Sequence, residues 1–438
     1  MLDKRKKELP PLSMRANIIW NSVGSMVFLA CQWLTTVLVV RLSDGYGAAG
    51  LLSLVMSVVG TFSTFAMYKM GTYQVSDVRR ENSSNEYLGF RFVTLVLAFG
   101  GCVVYSLVTC PLDALPAIVL YFIYKAIGLV IDIFHGIDQV HRRMDVIGKS
   151  FILQGIFSIV FFAIVFGATQ SLEWAIAAMA FSSLIVLFAY DLPRSRLFGD
   201  FGRRITVSKT IYLLKRSFSA VLAALAGSAI STVPKQLLLI ALGDAALGIY
   251  SSVAAPALIV QMGATYLYAP MLSVFPEYYL KGDKLSFVRL LARTVVGILL
   301  VSIAASILLA LIGEWVLCLL FGDSIAPYTY LIQPVVVASA ATAFLWFFGD
   351  LLITLRSFRG NFVGNVVALI LVVPLSVACI YLWGMNGASI ATAAACLVGS
   401  LIMAAYLARA IQSIPREDAD ETAEVVERRM SEGEGESA

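Results

Sequence analysis

The sequence predicts an all-α integral membrane protein, with about twelve transmembrane helices in two six-helix bundles. Three observations carry that expectation. Of the 438 residues, 59% are hydrophobic and only 14% charged, where a soluble domain carries about 25% charged residues. Long apolar runs recur along the whole chain, and the mean hydropathy is +0.85. Lys and Arg collect at alternate loops between those runs. This composition argues against a soluble enzyme, a nucleic-acid binder or a disordered chain. The formal net charge of +4 is modest for nucleic-acid binding, and its placement explains it better.

A hydrocarbon core about 30 Å thick needs about 20 apolar helical residues to cross it. Twelve segments qualify. The first, Ile18–Val40, follows the basic run Lys4 to Lys7 and Arg15. It is longer than the roughly 7–15-residue apolar region of a signal peptide, and no small-x-small cleavage site ends it, so it is expected to be retained. The second and third are Gly47–Met70 and Leu88–Cys110. The fourth, Leu115–His135, has Pro116 at its entrance, where a missing N–H costs nothing. The fifth, Ser150–Gly167, is the shortest and can extend back through Met144. The sixth is Leu172–Tyr190. The second half repeats the pattern with Ser217–Leu242, Gly248–Met271, Leu290–Ile312, Tyr328–Ile353, Phe362–Leu382 and Gly387–Ala410.

Basic residues retained on the cytoplasmic side set the orientation of such a chain. The N-terminal run, Arg79, Arg80 and Arg91, then Arg142, Arg143 and Lys149, the segment from Arg194 to Arg216, then Lys281, Lys284 and Arg289, and finally Arg356 and Arg359 all fall on one side. The intervening turns hold Arg41 and otherwise acids such as Asp44, Asp113, Asp244 and Asp323. Both termini are therefore expected in the cytoplasm. The chain also repeats itself. Leu42-Ser43-Asp44 followed by Gly50-Leu51-Leu52-Ser53 is echoed by Leu242-Gly243-Asp244 followed by Gly248-Ile249-Tyr250-Ser251. We read a cytoplasmic segment over 1–16, bundles over 17–191 and 213–414, a linker over 192–212, and a disordered acidic tail over 415–438. The two halves would be parallel repeats about the membrane normal.

Chemistry-bearing residues are few. The six cysteines form no CxxC and mostly lie in apolar runs, and His135 and His141 are the only histidines, which argues against a structural zinc site. In the fourth helix Tyr121, Lys125, Gly128, Asp132, His135 or Gly136, and Gln139 form one polar stripe at helical spacing. A charge at the bilayer centre costs at least about 2.5–3.5 kcal/mol and normally faces a partner or a wet cavity. Lys125 is read either as a cavity cation or as one half of a structural pair with Asp132. In the seventh helix Ser228, Ser231 and Lys235 share a face, with Pro234 beside the lysine. Lys235 is read as a second cavity cation, or as a side chain snorkelling to the headgroups. Gln154 and Gln261 are candidate cavity-lining residues, or simply interhelical hydrogen-bonding groups. No phosphate loop, HExxH or GxSxG constellation appears, and no cofactor is implied.

Several segments resemble the polysaccharide flippase branch, of the O-antigen type, of the MOP exporter superfamily. They are Asp132 to Gly155 (DIFHGIDQVHRRMDVIGKSFILQG), Val233 to Ser252 (VPKQLLLIALGDAALGIYSS) and the start of the last helix, Gly384 to Thr392. The resemblance implies two bundles around a central cation-lined cavity that opens alternately to each side. It implies a transporter, not an enzyme, carrying an undecaprenyl-diphosphate-linked oligosaccharide to the outer leaflet. In that family a basic residue precedes the Gly-x-Tyr-Ser turn, and Lys235 occupies the matching place. The diphosphate would be met by Lys235 and Lys125, with Asp132, Tyr121, Ser231, Gln154 and Gln261 lining or gating the cavity. Membrane lipids, a polysaccharide polymerase and other glycan-assembly proteins are implied partners, with coupling to an ion gradient or the membrane potential. Two alternatives stay open: a multidrug or cation antiporter of the same superfamily, and a non-transporting glycan-assembly scaffold.

Overall fold

Every long element of the computed structural model is an α-helix, and no strand occurs among the described residues, which are 12–68, 74, 83–195 and 205–412. The first six long helices are α1 (Met14–Leu42), α2 (Gly47–Met67), α3 (Ser84–Thr109), α4 (Leu115–Val140), α5 (Met144–Thr169) and α6 (Leu172–Val186). The helix Val207–Tyr268 is broken at Gly243, whose φ of 86° and ψ of 174° are open to glycine and strained for other residues. The break makes α7 (207–242) and α8 (244–268). The chain then forms α9 (Lys284–Phe321), α10 (Ile332–Thr354), α11 (Phe358–Trp383) and α12 (Met385–Gln412). Twelve crossings return residue 412 to the end that holds residue 14, here called the terminal end; the opposite one is the far end. Lys4 to Lys7, Met70, Arg79, Arg80, the middle of the expected linker and the acidic tail lie outside the described residues.

Polar caps set where several helices begin. Ser13 accepts from the Ala16 N–H at α1, and Ser171 from Trp174 at α6. Ser83 and Glu86 cap each other's backbone at α3. That box starts α3 four residues before the expected Leu88 and carries Arg91 into the helix. α5 does begin at Met144. The segment expected as a linker is helical at both ends, over Leu192–Ser195 and from Val207. Thr206 caps the latter, and Lys209 is held 2.9 Å from Glu86 of α3. Helix α7 runs through Pro234, and α8 through Pro256, without non-helical dihedrals.

Large apolar residues stand exposed on the outer faces, among them Val108, Leu311, Tyr381 and Leu401. Such a surface would drive association in water, whereas in a bilayer lipid covers it. Helices α1–α6 pack with one another, and α7–α12 do the same. The two groups meet chiefly where α2 runs along α7 and α8.

Three levels of contact close that seam. At the far end α2 and α8 touch through Gly50 and Gly248: a methyl group on Gly50 would overlap the Asp244 carbonyl, and one on Gly248 the Tyr46 carbonyl. Ser53 and Ser251 share a hydrogen bond of 2.5 Å there. These residues are the repeated motif of the sequence, brought face to face. Mid-helix, Thr232 of α7 bonds Thr61 at 2.8 Å and donates to the Ser57 carbonyl at 3.1 Å. At the terminal end the Tyr68 hydroxyl donates to the Leu214 carbonyl at 2.7 Å. Between α1 and the second group, every hydrogen bond among the described residues lies at the far end. There Arg41 donates to the carbonyls of Leu320 (2.7 Å), Cys318 (3.3 Å) and Leu319, which terminate α9. Tyr46, just beyond α1, bonds Ser324 at 3.0 Å.

Candidate functional site

Lys125 sits in the middle of α4, half-buried, with its ammonium 5.7 Å from the Tyr121 ring centre and 5.6 Å from that of Tyr124. The two rings are 5.4 Å apart and both are buried, so the cation rests against a pair of aromatic faces. One turn further on, a side chain built at Gly128 would meet nothing within 4 Å. The lysine's stripe therefore borders unfilled space. Among the described residues no carboxylate lies within ion-pairing distance of Lys125.

Asp132 does not pair with Lys125; it pairs with Arg91 of α3, at 3.0 Å. This corrects the reading of Lys125 and Asp132 as a structural pair, and the reading of Arg91 as a loop base. Two turns separate the positions, and helical side chains lean toward the N-terminus, which carries the ammonium to Tyr121 and away from Asp132. Arg91 is 0% exposed, while the Asp132 side chain is 40% exposed. The guanidinium also donates to the Ala66 carbonyl at 2.8 Å, at the end of α2, where a cation complements the helix dipole. Arg91 thus ties α2, α3 and α4 together. The capping box Ser83-x-x-Glu86 was the sequence signal for it, because a helix starting there places Arg91 two turns inside.

Lys235 of α7 is half-buried and, among the described residues, has neither an ion pair nor a hydrogen bond for its ammonium. Its neighbours Thr232 and Gln236 are buried in the seam, Gln236 against Tyr105 and Thr109 of α3. Lys235 and Ser231 occupy the adjoining stripe, and Ser231 is exposed. Gln261 of α8 is half-buried with no hydrogen bond to its side chain among the described residues. Gln154 is buried inside the first bundle, where it donates to Ser150 at 3.0 Å. The structure thus brings Tyr121 to Lys125 and Ser231 to Lys235, and keeps Asp132 and Gln154 in networks of their own. The two lysines stand in different bundles. Together they are cations inside apolar helices with no counter-charge among the described residues, which suits them to meet an anion.

These features define the class: a polytopic α-helical membrane protein with two bundles joined along one seam. Residues 14–277 match the family described as polysaccharide biosynthesis protein, so the chain belongs to that family. The capsular polysaccharide biosynthesis protein CapF of Staphylococcus aureus is 22% identical over 390 residues, covering 86% of this chain and 95% of CapF. Among solved structures, the inward-facing form of a multidrug resistance MATE family transporter of the MOP superfamily matches with a TM-score of 0.69. It is 12% identical and covers 92% of this chain and 100% of that one. The lipid II flippase MurJ, in an inward closed conformation, gives a TM-score of 0.64 at 12% identity, covering 89% and 90%. The fold is that of the MOP superfamily.

Proposed function

We propose that this protein is a flippase that moves an undecaprenyl-diphosphate-linked oligosaccharide across the bacterial inner membrane, for assembly of a surface polysaccharide. The observation that carries the reading is the pair of uncompensated lysines, Lys125 and Lys235, one in each bundle. A diphosphate carries about two negative charges, and its passage through hydrocarbon unaided is prohibitive. Lysine serves phosphate as a point charge, and unfilled space beside Gly128 gives the headgroup somewhere to lie. Membership of the polysaccharide biosynthesis family and the likeness to CapF and MurJ support the same substrate class. A drug or cation exporter would want a free acid beside the lysine stripe, whereas Asp132, the acid on that stripe, is neutralised by Arg91.

In this reading the far end faces outward and is closed, by Arg41 on the end of α9 and by Gly50 against Gly248. The protein stands ready to load from the cytoplasmic side. Transport then requires the far-end contacts to part while the terminal-end contacts already made, Tyr68 to Leu214 and Lys209 to Glu86, hold as a fulcrum.

The test is surface glycan per unit of folded protein in a strain lacking the native copy. Lys235→Gln and Lys125→Ala should each cut export with membrane abundance unchanged. Lys235→Arg should keep part of it, and Lys235→Glu should be the most damaging. Export at the wild-type level by Lys235→Gln would remove Lys235 from the phosphate path and leave it a snorkelling side chain.

A further inference from the structure

A second ionisable cluster lies inside the first bundle at the terminal end, and the lysine stripe does not use it. His135 and Asp138 come from the last turns of α4. Asp191 comes from a π-turn, Leu187–Asp191, that continues α6. Such a turn inserts one residue, re-aims the side chains beyond it and occurs often at functional sites. Here it turns Asp191 inward. Asp138 and Asp191 are both 0% exposed and His135 is 6% exposed.

The hydrogen bonds leave this group short of donors. Asp191 Oδ2 accepts from Ser150 of α5 at 2.9 Å, and Ser150 in turn accepts from Gln154. Asp138 Oδ2 accepts from Ser195 at 3.5 Å. The remaining oxygens, Asp138 Oδ1 and Asp191 Oδ1, are buried without a hydrogen bond, and so is His135 Nε2, which stands 3.5 Å from Asp191 Oδ1. Three orphaned polar atoms in one solvent-free place are costly, and two ionised carboxylates there would be more so.

The surrounding cations relieve them only in part, Arg143 also attracting Asp138. Asp145 of α5 also faces Asp138. Arg143, in the turn before α5, is taken up by Asp145 at 2.8 and 2.9 Å. Lys149 is 3.9 Å from the same carboxylate. Arg194 lies over the Tyr190 ring, at 5.1 Å, and the Tyr190 hydroxyl is itself unpartnered. Two buried acids therefore share one imidazole.

We propose that His135, Asp138 and Asp191 form a proton-binding site inside the first bundle. A proton taken up from the solvent and bonded to one carboxylate oxygen lowers the negative charge by one and supplies the missing donor. No other bond changes. An alkali cation fits less well, because hard cations take several oxygens, and one of the three orphaned atoms is an imidazole nitrogen. Among the described residues no His, Cys, Asp and Glu group is placed to hold a metal ion. That the site serves transport rests on the flippase reading; proton binding itself does not.

Infrared difference spectra of the full-length protein in lipid nanodiscs test it without any glycan. The protonated-carboxyl band should be present near neutral pH, titrate away in alkali, and be lost in Asp138→Asn or Asp191→Asn. It should be unaffected by Lys235→Gln and by sodium at fixed pH. If the Asn variants fail to fold, the wild-type titration decides alone. A wild type with no protonated carboxyl at neutral pH overturns the proposal, as does a band that sodium or potassium removes at fixed pH.

Discussion

Removing the Arg41 side chain should loosen the far-end closure by a measurable amount. Its guanidinium engages the last carbonyls of α9, those of Cys318, Leu319 and Leu320, of which the Cys318 carbonyl also accepts from the Gly322 N–H. A buried charged hydrogen bond contributes about 1.5–3 kcal/mol. Arg41 is exposed, so water and counter-ions compete for both partners. A cation at an exposed helix C-terminus contributes only about 0.3–1 kcal/mol. With three carbonyls engaged, we assign the whole contact about 1–2 kcal/mol. Arg41→Ala should therefore raise the open-to-closed ratio about 5- to 30-fold. The assay is the rate at which Ser251→Cys reacts with an impermeant maleimide in intact cells, in a background without the six native cysteines. Ser251 faces Ser53 and is half-buried, so its reaction should speed up when α2 and α8 part. Gly50→Val sets the upper limit, since its side chain would overlap the Asp244 carbonyl and hold the seam apart. If Gly50→Val reacts fast and Arg41→Ala reacts no faster than the parent, Arg41 contributes nothing to closure. If neither changes the rate, the far-end seam is not the closing contact.

Two further outcomes test the architecture. Arg91→Met should lower the thermal midpoint in detergent and the membrane abundance, at a cost of about 2–3 kcal/mol, discounted because Asp132 is 40% exposed and can hydrate. Adding Asp132→Asn should recover part of that loss, whereas Lys125→Ala should leave abundance unchanged; the reverse pattern would reinstate a Lys125–Asp132 pair. For orientation, Asp44→Cys and Asp244→Cys, in the same cysteine-free background, should each react with an impermeant maleimide in intact cells. Labelling only after lysis would invert the topology and move the Arg41 contact to the cytoplasmic face.

What the sequence determined by itself is what each helix carries alone. In a bilayer a helix satisfies its own backbone, so length and hydropathy mark each span without reference to any other. That is why the twelve spans, the membrane class and the stripe on α4 were legible, down to the start of α5 at Met144. The repeat was legible too, as a pattern without a purpose. Pairing is another matter. Lipid is as apolar as the helix faces, so lateral arrangement rests on a few polar and small residues, and their partners lie far along the chain. Ser53 meets Ser251 from 198 residues away, and Arg91 meets Asp132 from 41. Within one helix, Lys125 and Asp132 looked like natural partners. Only the approach of α3 showed that Asp132 was already taken, leaving Lys125 with two tyrosine rings. The cluster of His135, Asp138 and Asp191 was hidden for the same reason: it joins two helices through a π-turn that no local periodicity announces. Local hydropathy decides what crosses the membrane, and tertiary contact decides which charges are free.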